Sequence, residues 1–240
     1  MQTMKNIKIW LGLAYIVFLG LFLYFLLTRI GLDELTSYDF LKSNSEYLIN
    51  FKKSNIIFSS FVFILFGVIW ISVLQGFGSP LGLICGYIFG PYLGTLIFSF
   101  TFALGASVTF IIANFFFKDF IKEKIRNNFN YLNNKIRDNQ FFAVALLRFL
   151  GGIPIQIQNL IPVLFDIKLK FYFLGTLVGV VIQALIVCSL GSALEKKIYE
   201  SDSLPSFKDM LVSQEIYIPI LAVIFLFLFT FILRKKFFKK

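Results

Sequence analysis

Residues 141–164 read FFAVALLRFLGGIPIQIQNLIPVL, and the reading of this stretch decides the fold. It is apolar enough to enter a bilayer, yet Arg148 interrupts the apolar run and Gly151, Gly152, Pro154 and Pro162 follow. A proline removes a backbone donor and clashes with the turn before it, so it kinks or ends a helix. Two prolines and two glycines within 12 residues argue against one continuous helix. In hydrocarbon, backbone groups freed by a break need partners inside protein or beside a wet cavity. The expected structure is a re-entrant hairpin that dips into the membrane and returns, with Arg148, Gln156, Gln158 and Asn159 at its tip.

The composition agrees. The 240 residues are 58% hydrophobic and 15% charged, with 33 Phe and a mean hydropathy of +0.82, against about 45–50% apolar and about 25% charged in ordinary soluble domains. The class is an all-α polytopic membrane protein, with several transmembrane helices and two re-entrant helical hairpins in a weak inverted repeat. The net charge of +10 is not a nucleic-acid signal. Its basic residues flank apolar segments, where they set orientation and meet an anionic lipid surface. Cys85 and Cys188 lie in apolar runs and read as small core residues rather than a disulfide. Without histidine, neither a zinc site nor a His-based triad has support. No nucleophile–base pair is visible, so no enzyme activity, metal or cofactor is expected.

Three regions follow along the chain. Residues 1–55 hold an anchor and an amphipathic linker. The anchor is an uncharged run at 9–28, read as retained rather than cleaved because it is long and lacks a small-x-small site. The linker at 29–53 has four basic and four acidic residues. Residues 56–195 form the main membrane domain. It starts with a crossing at 56–74, then glycines at 76, 78, 82, 86, 90 and 94 and prolines at 80 and 91. These breakers suggest a first hairpin at 76–94, shaped by Gly86, Gly90, Pro91 and Gly94, and then a crossing at 95–117 in which Gly105 and Ala106 permit close helix approach. A polar stretch at 118–140 has six basic and three acidic residues and one apolar helical face. It reads as a solvated loop helix or as a helix on anionic headgroups. The second hairpin, at 141–164, precedes a crossing at 171–190, where Gly175, Gly179 and Gly191 are spaced for close packing. Residues 196–240 complete a polar loop, cross once more at 216–233 and end in a tail with five basic residues and no acid.

Charge asymmetry orients the chain. The positive-inside rule places the central basic loop and the tail in the cytoplasm and the acidic 195–215 loop outside. The crossings between loop and tail must then be even in number, which a returning 141–164 hairpin satisfies and a spanning one does not. The N-terminal half admits either side, depending on how often 75–117 crosses. Breaker-rich segments in corresponding positions of two halves point to a midplane site in transporters built from repeats.

Arg148 is the first candidate for that site. A cation at depth is costly, about 2.5–3.5 kcal/mol on insertion scales, and such residues face a partner or a wet cavity. Guanidinium also grips phosphate bidentately. The alternative is that Arg148 snorkels to the interface or pairs with Asp166. Gln156, Gln158 and Asn159 can hydrogen-bond a headgroup or satisfy the hairpin's own backbone. Gln75 and Gln183 read as helix bridges. The absence of a carboxylate at depth argues against a proton- or sodium-coupled pump.

The spaced Arg148, Pro154 and Asn159, the run Phe173-Leu-Gly175-Thr-x-x-Gly179, Leu190-Gly191 and the earlier Gly86-x-x-Phe89-Gly90-x-x-x-Gly94 resemble the DedA superfamily, also called the SNARE-associated Golgi protein or VTT-domain family. The resemblance covers about residues 60–195. It implies two facing re-entrant hairpins and the movement of lipids between leaflets: phospholipid scrambling in eukaryotic relatives, and flipping of polyprenyl phosphate or phosphatidylethanolamine in bacterial ones. Carried over, Arg148, Pro154 and Asn159 fall on the second-hairpin motif. Val163, Val181 and Ile182 depart from the pattern, and the first hairpin lacks the acidic residues of the DedA branch. The chain is therefore closer to the yeast-Tvp-like branch.

The expected function is translocation of a phosphate-bearing lipid, a membrane phospholipid or polyprenyl phosphate, through a polar groove between the hairpins. The expected location is the bacterial inner (plasma) membrane, with an oligomer compatible. A secondary transporter of a small anion and a non-transporting membrane organiser are the alternatives.

Overall fold

A computed structural model describes residues 55–74, 78–125, 136–149 and 153–200, with isolated helical positions between 14 and 24 and between 216 and 224; for 117–125 and 199–200 it gives the backbone course alone. Outside the described residues lie most of the 9–28 anchor, the 29–53 linker, Gln75 and Gly76, residues 126–135, Gly151 and Gly152, the remainder of the acidic loop from 201, most of the last crossing and the basic tail.

Seven helices make up the described core: α1 (Ile56–Leu74), α2 (Gly78–Phe89), α3 (Pro91–Ile125), α4 (Gln140–Phe149), α5 (Ile155–Leu164), α6 (Leu169–Gly179) and α7 (Val181–Glu200). Ile56–Leu74 and Pro91–Phe116 are each long and apolar enough to cross a membrane, and α6 with α7, bent by 46°, makes a third candidate if the pair is one span. The chain is an all-α integral membrane protein.

α1 opens on Asn55, whose Oδ1 accepts from the backbone N–H of Phe58 at 3.0 Å, a side-chain N-cap that satisfies an orphan donor. The helix is apolar on all sides, but only Ser59, Phe63, Gly67, Ile71 and Leu74 are buried, one face that packs on α3. Ile57, Phe61, Leu65 and Ile69 stand exposed, as lipid-facing side chains do. α3 is the hub: α1, α2, α5, α6 and α7 all pack against it.

The junction of α2 and α3 follows from two adjacent residues. Gly90 has φ +79°, a left-handed conformation open to glycine at little cost, and its N–H closes α2 on the Gly86 carbonyl at 2.8 Å. Pro91 starts α3, where its missing N–H is no loss and its fixed φ suits the first helical position. α2 then packs on α7 through paired close approaches. A Cβ on Gly86 would collide with the Cys188 backbone, and one on Gly191 with the Leu83 carbonyl. Lipid gives helices no hydrophobic reason to associate, so close van der Waals approach of small residues takes that role.

Four boundaries differ from the sequence reading. α3 runs unbroken from Pro91 to Ile125, so among the described residues of the first segment, 78–94, the break is at Gly90. Gly94 lies inside α3 and faces the Cys85 carbonyl: it serves packing, not turning. The helix also continues past 118 to Ile125, so the start of the polar stretch expected to form a helix of its own is the end of α3. The 171–190 crossing is two helices hinged at Val180, because α6 packs on α4 while α7 packs on α2. α7 extends to Glu200, six residues into the expected 195–215 loop.

The 141–164 stretch is not one rod. α4 ends at Phe149 and α5 starts at Ile155. α4 leans mainly on α6 and α5 on α3. Pro162 sits inside α5, and the helix stops two residues later in a turn where Asp166 takes φ 49°.

Candidate functional site

α4 buries Gln140, Val144 and Arg148, spaced by four and so on one face. That face meets α6 across two glycines. A Cβ at Gly175 would stand 2.8 Å from the Phe141 carbonyl and from Val144, and one at Gly179 would stand 2.7 Å from Arg148 Cβ. The close approach draws the arginine into the interior, where it is 1% exposed. Tyr172 and Thr176, one turn apart on α6, and Gln158 and Asn159 on α5 complete its surroundings.

The guanidinium is held by four side chains. Nε donates to Thr176 Oγ1 at 3.3 Å, Nη1 to Gln158 Oε1 at 3.1 Å, and Nη2 to Asn159 Oδ1 at 2.7 Å and to the Tyr172 hydroxyl. The hydroxyl in turn donates to Asn159 Oδ1 at 3.0 Å. The Tyr172 ring stacks on Phe110 of α3 at 4.3 Å. Behind the arginine, Gln183 Nε2 donates to its backbone carbonyl at 2.9 Å, satisfying one of the acceptors left open at the end of α4. Gln140 Oε1 accepts from the Lys168 backbone N–H at 2.9 Å and so ties the start of α6 to α4.

Every one of the four partners is neutral. Hydrogen bonds to a charged group contribute about 1.5–3 kcal/mol each, so four of them can hold a cation in the interior without cancelling its charge. The last turn of α4 helps, since a helix C-terminus carries partial negative charge. Neither alternative reading of Arg148 is realised: the side chain does not snorkel, and its hydrogen-bond partners do not include Asp166.

Beside this cluster lies a cleft of about 390 Å³. The first turns of α2, α5 and α7 and the Phe98–Phe102 turn of α3 border it, and Ser79, Gln156, Gln158 and Gln183 put polar groups on its wall. Phe102, whose ring centre lies 5.8 Å from the guanidinium carbon, borders the cleft too. Of the guanidinium's four hydrogen-bond partners, Gln158 alone also lines it. Its Nε2 also donates to the Ile153 carbonyl at 3.1 Å, which fixes the amide's direction.

Of the residues singled out in the sequence, Arg148, Gln158 and Asn159 meet, while Gln156 lines the cleft rather than the guanidinium. Gln183 bridges helices as read. Pro154 precedes the first turn of α5, and its carbonyl accepts from the N–H groups of Ile157 and Gln158. Gly86, Gly90, Pro91 and Gly94 shape α2 and α3 away from the arginine. Tyr172 escaped the sequence reading, and Thr176 enters it only within the Gly175-Thr-x-x-Gly179 run, not as a site residue. The available signal was their register: with Gly175 and Gly179 they form the buried face of α6.

Comparison with known proteins agrees with this architecture. Residues 76–193 match the family model described as VTT domain. Among curated proteins, the chain is 28% identical over 141 residues to a Transmembrane protein 41 homolog of Caenorhabditis elegans, covering 55% of this chain and 57% of that one. It is 23% identical over 137 residues to a Transmembrane protein 41 homolog of Dictyostelium discoideum, covering 54% of this chain and 41% of that one. The chain thus spans about half the length of these curated relatives. No solved structure matches it. Residues 76–193, from α2 into α7, thus carry the VTT domain of the DedA/SNARE-associated Golgi superfamily, consistent with the likeness to the Tvp-like branch.

Proposed function

We propose that the protein moves a phosphate-bearing lipid between leaflets, the headgroup passing through the cleft beside Arg148 while the acyl chains stay in the bilayer. The observation that carries this reading is an interior guanidinium whose partners are all neutral, one side chain away from a polar-lined cleft. A charged headgroup cannot enter hydrocarbon unaided; a wetted cleft with an uncompensated cation beside it lowers that barrier. The helix N-termini around the cleft add partial positive charge, which favours phosphate. Gln156, Gln183 and Ser79 supply hydrogen-bonding groups along the wall. The substrate is a membrane phospholipid or polyprenyl phosphate. The setting is a bacterial inner membrane, with the central basic loop and the tail on the cytoplasmic side, and the breaks at Gly90 and at 150–154 return the chain within the bilayer.

The test is reconstitution in liposomes carrying headgroup-labelled phospholipid. Wild type should move label between leaflets, and Arg148→Ala should be at least about tenfold slower, the equivalent of one lost charge-assisted contact. Equal rates, or no transfer above protein-free liposomes, would contradict the proposal. The cleft volume also falls within the range of small-molecule sites, about 300–1,000 Å³. Uptake of radiolabelled phosphate that needs Arg148 and ignores lipid type would instead support a small-anion transporter.

A further inference from the structure

The cleft and the arginine are neighbours without being joined. Thr176, Asn159 and Tyr172 hold the guanidinium but do not border the cleft; Gln158 does both. We propose that the Gln158 side chain is a displaceable plug. Its Oε1 occupies, on Arg148 Nη1, the position that a phosphoryl oxygen takes when ligand is bound. The proposal rests on the reading of the cleft as an anion path and names the residue that governs access to its cation.

Three features support displacement. The first is bond strength. The plug is held by a neutral acceptor on Arg148 at 3.1 Å and a neutral donor to the Ile153 carbonyl at 3.1 Å. The resident bond is charge-assisted on one side only; an oxyanion adds the attraction of an ion pair and can engage the guanidinium bidentately, so an arriving oxyanion outcompetes the amide. The second is the backbone. Gln158 lies in the first turn of α5, which has no side-chain cap at Pro154. Four residues on stands Pro162, which has no N–H to return to the Gln158 carbonyl. The residue therefore sits where its helix is least braced.

The third is spare donor capacity. A guanidinium has five N–H groups, and four hydrogen bonds are made here. Beside it, Asn159 Nδ2 is a buried donor with no partner among the described residues. An incoming phosphoryl group brings more acceptor oxygens than the single one it displaces. The ligand class is therefore a phosphoryl oxyanion, either on a lipid headgroup or free in solution.

The experiment uses the full chain in phosphatidylcholine nanodiscs and liposomes, with three variants. Gln158→Ala removes the plug. Gln158→Glu keeps its shape and gives Arg148 a resident carboxylate. Gln158→Ser carries the test if Gln158→Ala loses the fold. Phenylglyoxal modification of Arg148, read by peptide mass spectrometry, should be at least tenfold faster in Gln158→Ala than in wild type and no faster in Gln158→Glu. Headgroup-labelled lipid transfer should fall at least tenfold in Gln158→Glu, with its thermal unfolding unchanged or raised. Protection of Arg148 by millimolar inorganic phosphate identifies a free anion as sufficient; protection only by lipid with a phosphate monoester headgroup identifies lipid.

An Arg148 as inert in the unplugged variants as in wild type would overturn the proposal, and so would a Gln158→Glu protein that transfers lipid like wild type. The two readings fail separately. If wild type moves no lipid but Gln158→Ala still unmasks Arg148, the plug stands and lipid transfer falls. If wild type moves lipid and Gln158→Glu matches it, the plug falls alone.

Discussion

Two segments of this chain break a helix inside apolar sequence, and the breaks do different work. At Gly90–Pro91 the break is dry. A left-handed glycine ends α2, a proline starts α3, and the sequence from Lys53 to Lys118 holds no charge between them; its product is a short helix locked onto α7 at Gly86 and Gly191. Between the end of α4 at Phe149 and the start of α5 at Ile155 the break is polar. It leaves Arg148 at the end of α4 and Gln156, Gln158 and Asn159 at the start of α5, and a cleft opens beside them. A backbone break in a membrane segment is therefore only permission for a site. What makes a site of the second one is a charge that its own helix cannot satisfy.

Mutations can break or sharpen this contrast, and they rank by their expected effect on stability, read as thermal unfolding in detergent. The largest belongs to the dry break. In Gly86→Val the added atoms meet backbone of Cys188, which no rotamer change relieves. The expected loss is about 3 kcal/mol or more, and a protein that unfolds like wild type would refute the α2–α7 lock. Next comes Tyr172→Phe in the polar cluster. It deletes one acceptor of Arg148 and one donor to Asn159, with an expected loss of about 2 kcal/mol; no change would mean that the hydroxyl is not part of the arginine's support.

Gly90→Ala should lose about 1 kcal/mol. A Cβ there meets nothing within 4 Å, so only the strain of φ +79° opposes it. A loss as large as that of Gly86→Val would show that the turn, not the helix contact, holds the dry segment. The smallest effect on stability is expected from Gln156→Ala, whose side chain is exposed on the cleft wall. Unfolding should shift by less than about 0.5 kcal/mol while lipid transfer falls measurably. A clear loss of stability would make the amide a structural staple.

How much of this was legible depended on the residue type. Arg148, Gln158 and Asn159 stand out because polar groups are rare in such sequence, and the breakers between them forbid a straight helix. The Gly90–Pro91 junction was legible as a break for the same reason, whereas Gly94, three residues on, was read as another turn when it is a packing residue. Tyr172 and Thr176 were hidden because tyrosine and threonine are unremarkable in apolar helices, and only their register with Gly175 and Gly179 links them to the arginine. The bend at Val180 has no proline to announce it. It arises from the separate partners of α6 and α7, which no local sequence feature encodes. The plug was invisible from sequence: that Gln158 rather than Gln156 touches the guanidinium depends on which face of α5 turns toward α3.

Translocation through this site requires that water reach the polar cleft beside the second break while the surrounding apolar faces see lipid. A single cysteine at Gln156, on the cleft wall, and one at Leu146, an exposed apolar position on α4, test it directly in proteoliposomes with a membrane-impermeant maleimide. The native Cys85 and Cys188 are buried and serve as silent internal controls. Gln156→Cys should label readily and Leu146→Cys should not. A Gln156→Cys protein as inert as Leu146→Cys would mean the cleft is sealed in hydrocarbon, and no headgroup could pass through it.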